Sequence, residues 1–228
     1  MRVSSTGTAF LWDMDGTLVD TEPSWAAAEQ QLARAHGVTW GPAESAATVG
    51  QSPARTAAAL TRAGVAMTPQ EVLAVLVGAV AGEVARGVPW MPGALELVQE
   101  CRTAGHATAL VTSSPAAIAD AVAAAAAEAS GGALFDVVVT GDDVAHPKPD
   151  PEPYLLAARL LGRSPERCTA VEDSAPGTES AVAAGCRVVR LGGAGPDERP
   201  VVRTWASLSG RTLADLEDGW PPTPSPGA

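Results

Sequence analysis

The sequence predicts an α/β protein, a doubly wound parallel sheet with an inserted helical cap domain, and three observations carry that prediction. From about His106 onward, short apolar segments alternate with Ala-rich helical ones, the pattern of a parallel sheet covered by helices on both faces. Near the N-terminus a lone apolar run, Thr8–Trp12, ends on two aspartates, as a buried strand with carboxylates at its C-terminal tip would. Between that run and Pro92-Gly93 lie roughly 70 residues, whereas a βα connection normally takes about 2–6, so the stretch is an insertion.

The insertion contains Glu22–Ala35, Pro53–Arg62 and Pro69–Arg86, each rich in Ala, Leu and Val at helix-compatible spacing and separated by Gly, Pro and Thr. It reads as a small helical cap that can close over the acidic strand tip. Downstream, the expected order is strand Ala107–Val111, helix Pro115–Ala129, strand Phe135–Val139, helix Pro153–Leu161, strand Thr169–Val171, helix Pro176–Ala184 and strand Arg187–Leu191. The domain division that follows is a core over 1–20 and 89–220, a cap over 21–88, and a disordered tail over 221–228. Gly192–Pro200 is Gly/Pro-rich, and Val201–Trp220 is expected to return to the core.

A chain of 228 residues is long enough for a substantial core without disulfides. Its three cysteines, Cys101, Cys168 and Cys186, are odd in number and lack C-x-x-C spacing, so neither a disulfide framework nor a zinc site is expected and a reducing cytoplasm is the simplest home. The N-terminal segment meets Asp13 before it can supply the apolar stretch of a signal peptide. The longest apolar run, Val72 to Gly82, falls well short of the ~20 residues that span a bilayer. A net charge of -11 argues against nucleic acid and anionic membrane as partners. A small anionic ligand remains compatible, held by local cations and backbone N–H groups.

Four short features carry chemistry. Asp13 and Asp15 flank one residue at a strand end, and Gly16 and Thr17 suit the turn that follows. A D-x-D alone is also what a solvated turn looks like. Thr112-Ser113-Ser114-Pro115 ends one strand and opens a helix, where hydroxyls and free N–H groups can either cap the helix or bind a phosphate. Lys148 is the only lysine among the 15 Lys and Arg residues and sits between prolines in His146-Pro-Lys-Pro-Asp150. Glu172-Asp173 is a second acidic pair at a strand tip, with helix capping as its competing explanation. Parallel strands bring all C-terminal tips to one edge, so the two pairs can meet, and four carboxylates in one crevice call for a cation. An all-oxygen set without sulfur or imidazole suits magnesium.

In that order and spacing, and through the longer segments DMDGTLVDTEP, HPKPDPEPYLLAARLLG and VEDSAPGTESAVAAG, the sequence resembles the haloacid dehalogenase-like hydrolases, most closely the phosphatase and β-phosphoglucomutase branch with a helical cap. The resemblance implies a Rossmann-like core and a magnesium-dependent phosphatase acting on a small phosphorylated metabolite. It implies Asp13 as nucleophile and Asp15 as general acid and then base. Asp13, the main-chain carbonyl of Asp15, and Asp173 would hold Mg2+, with Glu172 assisting directly or through water. Thr112 and the Ser113 N–H would bind phosphoryl oxygens, and Lys148 would stabilise Asp13 and the phosphoryl charge. Substrate contacts would come from Glu22, Trp25, Gly50, Ser52 and Arg55 of the cap, and from Ser114.

Three neighbouring activities are weighed against hydrolysis. In a mutase of this branch a cap histidine typically stands where Trp25 stands here, and this cap has no lysine. A dehalogenase lacks the second aspartate and needs no metal, in contrast to Asp15 and Glu172-Asp173. A catalytically idle module that only binds a phosphorylated ligand would not need the full set of core residues.

Overall fold

A computed structural model describes residues 8–48, 52–193, 197–218 and 220. The first strand, β1 (Ala9–Trp12), is buried on both faces and lies at the middle of a six-stranded sheet. It is followed by four helices, α1 (Glu22–Ala35), α2 (Pro42–Ala46), α3 (Pro53–Ala63) and α4 (Pro69–Arg86). Then come α5 (Ala94–Thr103), β2 (Ala107–Val111), α6 (Ala116–Ser130), β3 (Val137–Val139), α7 (Glu152–Leu160), β4 (Cys168–Glu172), α8 (Ala175–Ala183), β5 (Arg187–Leu191), β6 (Val202–Trp205) and α9 (Leu213–Glu217). The strand order is β3-β2-β1-β4-β5-β6 and every pairing is parallel. Chain order therefore reverses at β1, with β2 on one side and β4 on the other. That reversal opens the crevice in which α/β sheets bind ligands, beyond the C-terminal strand ends.

The sheet separates two apolar clusters because side chains alternate along each strand. Phe10 and Trp12 point to one face and Ala9 and Leu11 to the other. The first cluster includes Leu97 and Val98 of α5 with Ile118 and Val122 of α6; the second includes Tyr154, Ala157 and Ala158 of α7 with Ala181 of α8. Register places Trp12 opposite both Leu110 and Val171. The residues after Trp12, Leu110 and Val171 consequently emerge side by side.

The four inserted helices bury a stripe of their own. Along α4, Val72, Leu76, Val80 and Val84 recur at i, i+4 spacing and are buried, the signature of one helix face turned to a core. They join Leu32 of α1 and Leu60 of α3 in the same apolar cluster as the sheet's first face. Thr68 starts α4 with a capping box: its hydroxyl accepts from Glu71 N at 3.3 Å, and its own N–H donates to Glu71 Oε2 at 2.8 Å. Among the described residues no helix is long and apolar enough to cross a membrane.

Most predicted elements stand within a residue or two of their expected bounds, and the differences have physical causes. The third strand was expected from Phe135 but begins at Val137. Asp136 N–H still donates to Thr108 O at 2.8 Å, but its carboxylate accepts from Thr108 N at 3.0 Å and from Arg102 at 2.5 Å, so the side chain takes one of the two backbone partners there. Strand β6 was not predicted; it is an edge strand paired only with β5, and Arg203 and Thr204 interrupt its apolar pattern. Helix α2 is too short for a periodic signal. The tail, 221–228, lies outside the described residues.

Leu76 is fully buried where α4 packs on its neighbours. Leu76→Ala is expected to lower the unfolding free energy by about 2–5 kcal/mol through lost transfer and a residual cavity. Urea denaturation checks this, and a loss under about 1 kcal/mol would contradict the packing described.

Candidate active site

Four loops at the C-terminal edge of the sheet build one carboxylate-rich crevice. Asp13 directly follows β1 and is anchored there by its N–H, which donates to Val171 O at 3.0 Å. Gly16 then takes φ +81°, and a Cβ at that position would lie 2.1 Å from Asp173 Oδ2. Glycine is needed for both reasons, and this close approach brings the first acidic pair against the second. Thr17 donates to Asp173 Oδ1 at 3.5 Å, a weak tie across the same gap.

Lys148 is the hub. Its ammonium donates to Asp13 Oδ1 at 2.6 Å, to Glu172 Oε1 at 2.6 Å and to Val111 O at 2.9 Å. It is buried, and although burial pulls its pKa down, Asp13 and Glu172 hold it above the usual lysine value. The loop that presents it is fixed from several sides. Glu152 accepts from Ala145 N at 3.0 Å and His146 N at 2.9 Å, and Asp150 Oδ1 accepts from Glu152 N at 2.9 Å. Those backbone donors keep the Glu152 carboxyl below its ordinary pKa. His146, Asp150 and Glu152 form a second cluster of possible ligands, but its hydrogen bonds are accounted for by shaping this loop.

Glu172 is fully buried. Besides Lys148, its Oε1 accepts from the Tyr154 hydroxyl at 2.5 Å, and its Oε2 accepts from Ser174 Oγ at 3.0 Å. A Cβ on Gly177 would meet the Glu172 carboxylate at 2.0 Å, so the first turn of α8 has to be bare there. Ser174, not Asp173, caps α8, its Oγ accepting from Gly177 N at 3.0 Å. Helix capping therefore does not account for Asp173.

Asp15 faces a different set of partners. Thr21 donates to its Oδ1, while Thr112 at 3.2 Å and Ser114 at 2.8 Å donate to Oδ2. Thr112 Oγ1 also accepts from Ser114 N at 2.9 Å. These hydroxyls are not spent on capping α6, because Asp142 Oδ2 takes the Ala116 N–H at 2.9 Å instead. Ser114, expected to face substrate, is buried and bonded to Asp15 in this structure. Ser113 stands between Thr112 and Ser114, its carbonyl beside Gly141.

Among the described residues, Asp13, Glu172 and Asp173 bring carboxylate oxygens within 4.8 Å of one another. Burial first, and Glu172 next, push the Asp13 carboxyl well above its ordinary value, with Lys148 pulling the other way. Asp173 keeps solvent exposure, yet desolvation inside the crevice and then Glu172 push its carboxyl up to about 7. Three crowded carboxylates against one lysine form a cluster whose negative charge a hard, oxygen-preferring cation would offset.

The predicted cap residues divide. Glu22 opens α1 directly after Thr21, and burial followed by the charges of Asp15, Asp20 and Glu29 raises its pKa. Trp25, one turn further on, is half-buried against the apolar cluster. Ser52 and Arg55 begin α3 and neither bonds to the carboxylates above; Arg55 is exposed. Gly50 lies outside the described residues. Sequence reasoning missed Thr21 and Tyr154. The available signal for Tyr154 was that it is the chain's single tyrosine and falls inside the segment shared with the family.

Comparison with known proteins agrees with this geometry. Residues 8–185 match the family model described as haloacid dehalogenase-like hydrolase. Hexitol phosphatase A of Escherichia coli is 35% identical over 182 residues, covering 80% of this chain and 82% of that protein. The crystal structure of CbbY from Rhodobacter sphaeroides with phosphate superposes with a TM-score of 0.80 at 28% identity, covering 92% of this chain and 99% of that one. A structure of a CbbY variant with xylulose-1,5-bisphosphate gives 0.79 at the same identity and coverage. An α/β hydrolase with a carboxylate-lysine centre at its sheet edge is the class that fold and site define, and the chain belongs to the haloacid dehalogenase-like hydrolase family. Within it, the chain is a phosphatase, an enzyme that hydrolyses phosphate monoesters.

The raised acids have a thermodynamic consequence. A carboxyl with a folded-state pKa near 7 contributes stability that is full below the unfolded value of 3.8 and is lost as pH rises through about 7. In chelator, the melting midpoint of the unmodified protein relative to Asp173→Asn is expected to fall by about a degree or two from about pH 5 to about pH 8, the solvent exposure of Asp173 screening part of the effect. Mg2+ should restore it more at the alkaline end. A difference that rises with pH, or one that Mg2+ leaves untouched, would contradict the cluster's electrostatics.

Proposed function

We propose that this phosphatase transfers the phosphoryl group of a small phosphorylated metabolite to Asp13 and then hydrolyses the phosphoaspartate. The observation that carries this reading is the Lys148 ammonium 2.6 Å from Asp13, with Asp15 two residues on and bound to separate hydroxyls. In the first step a carboxylate oxygen of Asp13 bonds to phosphorus while the ester P–O bond breaks and the departing oxygen takes a proton from Asp15. In the second, a water oxygen bonds to phosphorus, the Asp13–phosphorus link breaks, and the water's proton returns to Asp15. Hydroxyls donate or accept, so Thr21, Thr112 and Ser114 can hold Asp15 in either protonation state.

Thr112 and the Ser113 N–H would hold the transferring oxygens, and Lys148 would offset their charge. Asp13, Asp173 and the Asp15 main-chain carbonyl would hold Mg2+, with Glu172 in support; the donor set, all oxygen and crowded with negative charge, fits that ion. When bound, Mg2+ would polarise the phosphoryl group and neutralise charge that develops on it.

Residues 21–88 act in this reading as a cap that excludes water and presents Glu22 and Trp25 to the leaving group. A carboxylate near Asp15 and an indole one helical turn further on suit a hydroxyl-bearing leaving group such as a sugar, a polyol or a sugar phosphate. The relatives lend support, since one is a hexitol phosphatase and another was solved with a phosphorylated sugar. Three buried free thiols fit a reducing cytoplasm.

A panel of phosphate monoesters, assayed for phosphate release with and without Mg2+, tests the reading. Release should require Mg2+, vanish in Asp13→Asn and fall by about 10²–10⁴-fold in Asp15→Asn. Retained turnover in Asp13→Asn would sink the nucleophile assignment. Conversion of β-glucose 1-phosphate to glucose 6-phosphate without phosphate release would replace hydrolysis by a mutase reaction.

A further inference from the structure

We propose that Tyr154 is a positioning residue, holding Glu172 so that Lys148 can turn from it toward the phosphoryl group; this rests on the hydrolytic reading above. An ammonium has three N–H donors. Here Asp13 Oδ1, Glu172 Oε1 and Val111 O take all three. A hydrogen bond to a phosphoryl oxygen must therefore be withdrawn from one of these acceptors. Asp13 has to stay poised for attack beside its cation, and the Val111 carbonyl belongs to the sheet edge that places the ammonium.

Glu172 Oε1 differs from the other two because it already has a second donor, the Tyr154 hydroxyl at 2.5 Å. Stripping a buried carboxylate oxygen of every donor is expensive, and Glu172 is fully buried. With Tyr154 in place, Oε1 remains bonded when Lys148 lets go. The rest of the pocket keeps the carboxylate where it is: Ser174 holds Oε2, and Gly177 leaves no slack beneath it. The ring of Tyr154 also walls the ammonium, its centroid 5.1 Å from Nζ, close enough for a cation–π attraction that survives a small rotation. The ring is itself immobilised, buried in the cluster under the sheet's second face.

Tyr154→Phe removes the donor and keeps the ring. Its kcat is expected to fall about tenfold, the scale of one hydrogen bond to a charged group. KM should change less than about twofold, and inhibition by orthovanadate, which mimics five-coordinate phosphorus, should weaken in step with kcat. In a Glu172→Gln background the same substitution should cost nothing further, because the coupling runs through that carboxylate. A readout independent of turnover comes from the chain's single tyrosine. Protein grown on 3-fluorotyrosine carries one 19F label at Tyr154, and its resonance should shift when orthovanadate and Mg2+ are added. Tyr154→Phe with kcat within twofold of the unmodified protein, losses that add in the double variant, or a 19F signal indifferent to vanadate would each overturn the proposal. If the unmodified protein released no phosphate from any monoester, the hydrolytic reading would fail instead, and the two failures are thereby told apart.

Discussion

A single buried ammonium organises the phosphatase. Lys148 sits between Asp13 and Glu172, and those carboxylates come from strands β1 and β4, which are neighbours in the sheet but far apart in the chain. Neither acid is well solvated, and each is raised in energy by the other; the lysine makes their proximity tolerable. The surrounding hydrogen bonds follow from that constraint. Glu152 and Asp150 fold the loop that delivers the lysine, Tyr154 and Ser174 satisfy the rest of Glu172, and Gly16 and Gly177 leave room for carboxylates to approach backbone.

The cation is not enough to balance the site. Asp173 has no comparable partner, its tie to Thr17 being long, and although it keeps solvent exposure, partial desolvation and Glu172 leave it near 7. That residual imbalance is what makes a divalent ion, and then a phosphate dianion, compatible with a protein whose overall charge is -11. Asp15 is set apart from this cluster by three hydroxyl partners. Two aspartates only one residue apart thus face different chemistry, one beside the ammonium and one among neutral donors. This separation matches the division between a nucleophile and a proton carrier that the proposed reaction needs.

Much of this was legible before any coordinates. Asp13, Lys148 and Glu172-Asp173 could be placed together because parallel strands align their C-terminal ends, and Ala107–Val111 and Arg187–Leu191 have the bounds their apolar runs predict. What was not legible depends on side-chain direction. Thr21 reads only as the residue before a Glu-Pro helix start, and nothing local says that its hydroxyl reaches Asp15. Ser114 was expected to reach the substrate, and its bond to Asp15 could not be read from its place in the sequence. Strand β6 carries polar residues because only one of its edges is paired, which hides it from an apolar pattern.

The covalent intermediate is the most direct test of the account. The protein would be mixed with a hydrolysable monoester and Mg2+, quenched in acid within the first turnover, digested and read by mass spectrometry. The expected result is a transient phosphoryl mass on the peptide containing Asp13, absent from Asp13→Asn. Phosphate released in the first turnover without that adduct, or an adduct carried by another residue, would contradict it.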